Sequence, residues 1–240
     1  MSTDLQLQKE ASRLRSLWGL GTTYPVRLAS LVLKLDLQVV FRQLNEHFSG
    51  MSVITEKSAF ILINSNHPIG RQNFTVCHEL YHIYVQKEPR QHSCTVEGFD
   101  KRDKEEYAAN IFASLFLMPS EGVLALIPGN ELKKNKVSLP TILKIEQYFQ
   151  CSRSATLYRL QSLRLIDLKL YDNYRLNVAR DASKYGYDQA LYKPGRHNTL
   201  LGDYGPLARE LFDSGKISES HYVSLLKDIG IDVDAVNNDD

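Results

Sequence analysis

The sequence has little cysteine and no long apolar run. It contains three cysteines, Cys77, Cys94 and Cys151, which are too few and too scattered for a disulfide framework and agree with a reducing compartment. No segment approaches the run of about eighteen apolar residues that a membrane-spanning helix needs, and the first residues lack the apolar core of a secretory signal. These absences predict a cytoplasmic protein with no membrane partner.

The chain also lacks an excess of either charge. Its 29 Lys and Arg residues oppose 28 Asp and Glu residues, a net charge of +1, which excludes a global electrostatic attraction to nucleic acid or membranes. The 240 residues are 43% hydrophobic and 24% charged, as in ordinary globular proteins with one large domain or two small ones. Evidence of function must therefore come from local motifs.

The most informative motif is the HExxH sequence at His78–His82. It lies in an apolar segment, residues 74–86, that predicts a buried helix. On a helix, His78 and His82 share one face and can bind one metal ion, while Glu79 can take a proton from metal-bound water without being a ligand. Without a metal, each unsatisfied polar group buried there would cost roughly 1–3 kcal/mol. The motif indicates a zinc-dependent hydrolase.

A third metal ligand is expected downstream, because catalytic zinc usually has three protein ligands and two histidines with a glutamate are a common set. Residues 104–119 predict a second helix that begins after Asp100 or Asp103 and ends near a proline. Glu106, one turn into this helix, is the preferred ligand. Asn110 lies four residues later on the same face, where it could orient an imidazole of the first helix.

Two alternatives for Glu106 remain open. Asp103 and Glu106 have the spacing of a helix capping box, which would explain the glutamate without a metal. Glu105 and Glu97 are competing third ligands, and spacing alone excludes neither.

These segments together resemble the ImmA/IrrE group of metallopeptidases, whose members carry a HExxH helix followed by an E-x-x-A-N-x-F-A helix that ends in Met-Pro. The resemblance covers roughly residues 20–165. Cys77 and Tyr81 depart from it, since members often have alanine and glycine there. The matching segments are Asn64-Ser65-Asn66, Gly70 through Thr75, His78–His82, Glu106 through Ala113 and Leu117-Met118-Pro119.

The resemblance implies a metal site and a substrate. It implies that His78, His82 and Glu106 bind Zn²⁺, or another divalent metal such as Mn²⁺, and that Glu79 is the general base. It also implies an endopeptidase that cleaves a helix-turn-helix transcriptional repressor and so relieves repression of a mobile-element or stress-response operon. The alternative is a non-cleaving regulator or toxin-antitoxin component that binds a repressor or DNA.

Two short apolar, β-branched segments, Leu37–Phe41 and Ala59–Ile63, predict strands separated by a polar loop. We expect a small antiparallel sheet beside the metal helix. In metallopeptidases of this build a sheet edge often holds the substrate as an added strand, and Ala59, Ile61 and Ile63 are the candidates. The equally weighted alternative is that these residues complete the sheet and have no role in binding.

A compact helical block follows. Leu139–Tyr148 and Ala155–Leu163, with Ser152 as the N-cap of the second segment, resemble a helix-turn-helix. Residues 131–180 hold ten Lys or Arg against four Asp or Glu, so direct DNA contact is an alternative role for this block. The predicted second helix carries the arginines Arg153, Arg159 and Arg164.

The expected fold is α+β: a mostly helical, zincin-like metallopeptidase domain with a small antiparallel sheet, followed by the helix-turn-helix-like block. Residues 1–135 form the first domain, residues 136–169 the block, and residues 170–240 a C-terminal helical extension of unassigned role. Helices are also predicted at residues 4–17, from Thr23-Tyr24-Pro25 through Leu35, and at Pro206–Phe212 and Ser218–Ile229. A surface loop is predicted around Lys87–Asp103.

Overall fold

A computed structural model describes residues 3–55, 58–86, 92–95 and 103–231. The helices are α1 (Thr3–Leu17), α2 (Leu28–Lys34), α3 (Ile69–Tyr84), α4 (Lys104–Leu117), α5 (Ser120–Leu126), α6 (Leu139–Phe149), α7 (Arg153–Ser162), α8 (Leu168–Tyr174), α9 (Val178–Lys184), α10 (Tyr204–Asp213) and α11 (Glu219–Asp228). The strands are β1 (Leu37–Arg42), β2 (Phe48–Ile54), β3 (Ala59–Asn64), β4 (His92–Thr95) and β5 (Leu200–Leu201). Short 3₁₀ helices lie at Gly129–Glu131 and Ala190–Tyr192. The mostly helical α+β class is confirmed.

The sheet is mixed, so the prediction that it is antiparallel is wrong. Its strand order is β4-β2-β3-β1-β5, and β1 pairs in parallel with β3 while the other pairs are antiparallel. The cause is β2, which occupies the segment predicted as a polar loop. Because the chain reverses direction into β2 and again into β3, β3 returns parallel to β1.

β3 lies inside the sheet, which corrects the predicted substrate-binding role of Ala59, Ile61 and Ile63. Its backbone pairs with β1 on one side and with β2 on the other, so no edge is free to accept a peptide strand. Ile61 and Ile63 are fully buried. These residues complete the sheet, and its outer strands are β4 and β5.

Two other local predictions are corrected. His92–Thr95, expected within a surface loop, forms strand β4 on β2. Helix α2 begins at Leu28 rather than at Thr23, and the carbonyl of Tyr24 instead accepts a 2.6 Å hydrogen bond from Arg15 Nη2. The carbonyl of Tyr24 is therefore used by a side chain of α1, and residues 23–27 precede the helix instead of forming its first turn.

Helix α3, which carries the HExxH motif, packs closely on strand β2. Its Gly50 lies beneath α3, where an added Cβ would come within 2.7 Å of Thr75 Cγ2. Glycine therefore permits the close approach of α3 to the sheet. The terminal helices α1, α10 and α11 form where they were predicted.

The helix-turn-helix pattern is confirmed as local structure in α6 and α7. Gln150 ends α6 in the left-handed conformation with φ 56°, and Ser152 Oγ caps α7 by accepting the N–H of Ala155 at 3.3 Å. Residues of both helices, including Ile145 and Leu160, belong to the same hydrophobic core cluster as α1, the sheet, α3 and α4. The division of the chain into three regions stays a prediction.

Within the described ranges, no single helix is both long and apolar enough to cross a bilayer. Helices α4 and α5 reach that length and hydrophobicity only when counted together, and they are bent by 50°.

Candidate metal centre

Helices α3 and α4 form the candidate metal centre. The HExxH motif lies in the last two turns of α3, where His78, Glu79 and His82 are 4%, 0% and 1% exposed. Helix α4 packs against this part of α3 through the rings of Tyr81 and Phe112, whose centroids are 5.8 Å apart. The contact brings the first turn of α4 opposite the two histidines.

Three predicted ligands converge there. Glu106 Oε2 lies 3.2 Å from His78 Nε2, and Glu106 Oε1 lies 3.4 Å from His82 Nε2. The two Nε2 atoms are 3.1 Å apart. Of the described residues, these three form a group whose ligand atoms all lie within 4.8 Å of one another.

The outer nitrogens of both imidazoles face amide oxygens. His78 Nδ1 lies 3.0 Å from Asn110 Oδ1, as predicted, and His82 Nδ1 lies 2.6 Å from Gln86 Oε1. An amide oxygen only accepts, so each Nδ1 carries a hydrogen, and each ring in its neutral form would present an Nε2 lone pair to the centre. Two lone pairs and a carboxylate face one another, and a divalent cation fits such a donor set.

Glu79 strengthens this assignment. Its carboxylate is fully buried, and neither oxygen has a hydrogen-bond partner among the described residues. A buried carboxylate without a partner is costly. A metal ion at the adjacent histidines and its water would supply the missing interactions.

The electrostatics of the trio favour a cation. Burial raises the pKa of Glu106, but hydrogen bonds and charge from His78 and His82 outweigh it and hold this pKa well below its usual range. Burial lowers the pKa of His82, but hydrogen bonds with Glu106 and Gln86 and the charges of Glu79 and Glu106 produce a net rise. Positive charge is therefore stabilised between these side chains.

The competing interpretations of the acidic residues are now distinguishable. Asp103 Oδ1 caps α4 by accepting the N–H groups of Glu105 and Glu106 at 3.0 and 3.2 Å, while the Glu106 carboxylate faces the histidines. Glu105 Oε2 accepts a 2.8 Å hydrogen bond from the hydroxyl of Tyr81, which accounts for this glutamate without a metal. Glu97 lies outside the described residues.

Gln86 was not predicted. The signal was present in its spacing, because it follows His82 by four residues, just as Asn110 follows Glu106. It was missed because residue 86 lies at the predicted end of the helix, and α3 ends at Tyr84.

The arginines considered for DNA contact are largely internal. Arg153 is 2% exposed and pairs with the buried Glu146. Arg159 is 5% exposed and donates to the carbonyl of Met118 at 2.8 Å. Of the three, Arg164 alone is exposed.

Comparison with known proteins gives one match to a family. The IrrE N-terminal-like domain, Peptidase_M78, matches residues 33–161, which is more than half of the 240-residue chain and includes both helices of the metal centre. A search of curated proteins gave no match.

Proposed function

The chain belongs to the family of the IrrE N-terminal-like domain, Peptidase_M78, and on this basis we propose that it is a zinc-dependent endopeptidase that cleaves a helix-turn-helix transcriptional repressor. The observation that carries the proposal is the convergence of His78, His82 and Glu106 beside the buried carboxylate of Glu79. Membership of a peptidase family supports the reaction class, and this geometry supports the choice of these residues as its centre.

In the proposed mechanism, His78 and His82 would hold the metal through Nε2 and Glu106 would hold it through its carboxylate. Asn110 and Gln86 hold the two rings in the tautomer that ligation needs. Zinc is the proposed ion because two imidazoles and one carboxylate are a common catalytic zinc set, with Mn²⁺ as the alternative. When bound, the ion would act as a Lewis acid that acidifies water and polarises the scissile carbonyl.

Glu79 is the proposed general base. It follows a ligand directly on α3, and its unpartnered oxygens can accept the proton that the attacking water releases. Glu79 then passes this proton to the leaving amine nitrogen, which completes peptide hydrolysis without a net change in the protein.

The proposed substrate is a cytoplasmic helix-turn-helix repressor, and its cleavage would derepress a mobile-element or stress-response operon. The resemblance to the ImmA/IrrE group supports this choice. The alternative of a non-cleaving regulator would leave Glu79 without a chemical role. Direct DNA contact through α7 is disfavoured, because Arg153 and Arg159 are bonded internally.

The test is intact-mass analysis of the repressor encoded beside this chain after incubation with the zinc-loaded protein. Glu79→Gln should bind metal normally and leave the repressor uncut, because an amide cannot accept the proton. Glu105→Gln is the matched control: it removes a neighbouring exposed carboxylate that contacts Tyr81 and not the metal trio, and it should cleave.

Two fragments that appear with the wild type and with Glu105→Gln, but not with Glu79→Gln or after chelation, would support the proposal and locate the bond. An uncut repressor that forms a stable complex with the wild type would instead support the non-cleaving alternative. Cleavage that survives Glu79→Gln would exclude this glutamate as the base.

A further inference from the structure

A segment of the C-terminal extension, residues 193–201, crosses the start of the metal helix; we refer to it as the strap. The carbonyl of Lys193, the first residue of the strap, accepts a 3.0 Å hydrogen bond from the N–H of Ile69, the first residue of α3. Farther on, the carbonyl of Thr199 accepts the N–H of Phe41 at 2.9 Å, and the strap ends as β5 on β1. The strap lies outside residues 33–161, the range of the family match.

Gln72, in the first turn of α3, binds the strap from the helix side. It is completely buried, and its Nε2 lies 2.9 Å from the carbonyl of Gly195. The same nitrogen lies 2.8 Å from the carbonyl of His67, in the loop before α3. A Cβ at Gly195 would lie 3.0 Å from Ile69 Cδ1, so the strap is in close contact with the helix.

Asn73, the next residue, joins α3 to two other elements at once. Its Nδ2 donates to the carbonyl of Gln150 in the helix-turn-helix turn at 2.8 Å, and its Oδ1 accepts from Arg196 Nη1 of the strap at 2.6 Å. On the same side, a Cβ at Gly70 would lie 2.8 Å from the backbone nitrogen of Ser152. The first turn of α3 is therefore fixed between the strap and the α6–α7 turn.

From these contacts we propose that the strap is a positioning element of the metal centre, and that Arg196 acts through Asn73 to fix α3 along its axis relative to α4. The inference rests on the proposed peptidase function. His78 lies five residues after Asn73, about 7.5 Å along the helix at 1.5 Å per residue. An axial shift at the start of α3 would move His78 and His82 with the helix. Glu106 lies on α4 and would stay in place, so the three side chains would no longer converge in the same way.

A small displacement is enough to matter. A shift of about 1 Å in catalytic geometry can cost on the order of 10²-fold in rate. Loss of one contact at Asn73, with the other strap contacts retained, should displace α3 by less than that, so we expect kcat to fall about tenfold.

The experiment uses the full chain with Arg196→Met, which keeps much of the side chain's apolar volume and removes its donors. Arg209→Met is the matched control, because Arg209 lies in the same extension with a side chain 58% exposed and, among the described residues, pairs with Asp213 and the rings of Phe212 and Tyr222. Three quantities are measured: the visible absorption spectrum of the Co²⁺-loaded protein, amide hydrogen exchange of the metal-free protein, and kcat and KM for repressor cleavage.

Arg196→Met should alter the Co²⁺ spectrum, accelerate exchange in the first turns of α3, and lower kcat about tenfold with KM within twofold. Arg196→Lys, which can still donate to Asn73, should restore most of kcat and the spectrum. Arg209→Met should match the wild type in all three. If Arg196→Met does not fold, Gly195→Val takes its place, because it pushes the strap from Ile69 while it retains every charge.

A folded Arg196→Met variant with the wild-type Co²⁺ spectrum and kcat would overturn the proposal. So would faster amide exchange with an unchanged spectrum, which would show that the strap only adds stability. If the wild type cleaves no repressor, the proposed function fails, and the spectrum and the exchange rates still decide the role of the strap.

Discussion

Replacing Asn110 by leucine should weaken metal binding although no ligand is removed. Asn110 Oδ1 lies 3.0 Å from His78 Nδ1 and fixes the tautomer in which Nε2 faces the metal position. Leucine has a similar size and a high helix propensity, so α4 should persist. Without the acceptor, the ring can rotate, and its Nδ1–H is buried without a partner.

The magnitude follows from the kind of contact that is lost. Removal of a hydrogen-bond partner of a metal-bound histidine typically weakens metal affinity 10- to 100-fold, which corresponds to about 1.4–2.7 kcal/mol. The lower bound equals roughly one hydrogen bond of 0.5–1.5 kcal/mol. Anything beyond it would measure the cost of orienting the ring.

The assay is competition for Zn²⁺ against a chromophoric chelator of known affinity. Asn173→Leu is the control, because Asn173 is an exposed asparagine within helix α8 and should bind zinc as the wild type does. Asn110→Asp keeps an oxygen acceptor and should retain or strengthen binding. An Asn110→Leu variant with zinc affinity within twofold of the wild type would refute the role given to this hydrogen bond.

Two further predictions concern stability. Arg159→Met should lower the free energy of unfolding by about 1–3 kcal/mol, because the buried carbonyl of Met118 loses its donor; a urea titration that shows a change below about 0.5 kcal/mol would contradict this. The metal-free protein should be most stable between about pH 4.5 and 6.5, the ordinary values for Glu106 and His82. The lowered pKa of Glu106 gives stability that is lost as the pH falls below that window, and the raised pKa of His82 gives stability that is lost as the pH rises above it. Thermal unfolding in a chelator from about pH 3.5 to 8.5 measures the profile, and the Glu106→Ala variant should show a flatter profile than the wild type if these two groups are its source.

The convergence of the candidate ligands could be predicted because much of its information is local. His78 and His82 lie one helical turn apart, and Asn110 lies one turn after Glu106, so helical periodicity alone places each pair on one face. That the two faces meet was inferred from the chemistry that zinc requires. Gln86 obeys the same four-residue spacing and was missed only because the helix end was uncertain.

The sheet and the strap depend on non-local contacts that no local pattern contains. β2 carries serines and a glycine instead of a β-branched run, a pattern that predicts a loop, and a sheet predicted without β2 leaves one side of β3 unpaired. The bonds from Gln72 and Asn73 to the strap join residues 123 positions apart. Nothing in the composition of residues 193–201 distinguishes them from an exposed linker.

The helix-turn-helix-like block shows why charge counted along a sequence is a weak argument for DNA binding. Two of the ten cations in residues 131–180, Arg153 and Arg159, are buried and bonded to Glu146 and to the carbonyl of Met118. The turn itself, which a DNA-binding protein would place near the phosphates, contacts the start of α3 through the carbonyl of Gln150. A motif defined by backbone geometry thus supports the metal helix here, and its role follows from what its turn touches and not from its pattern.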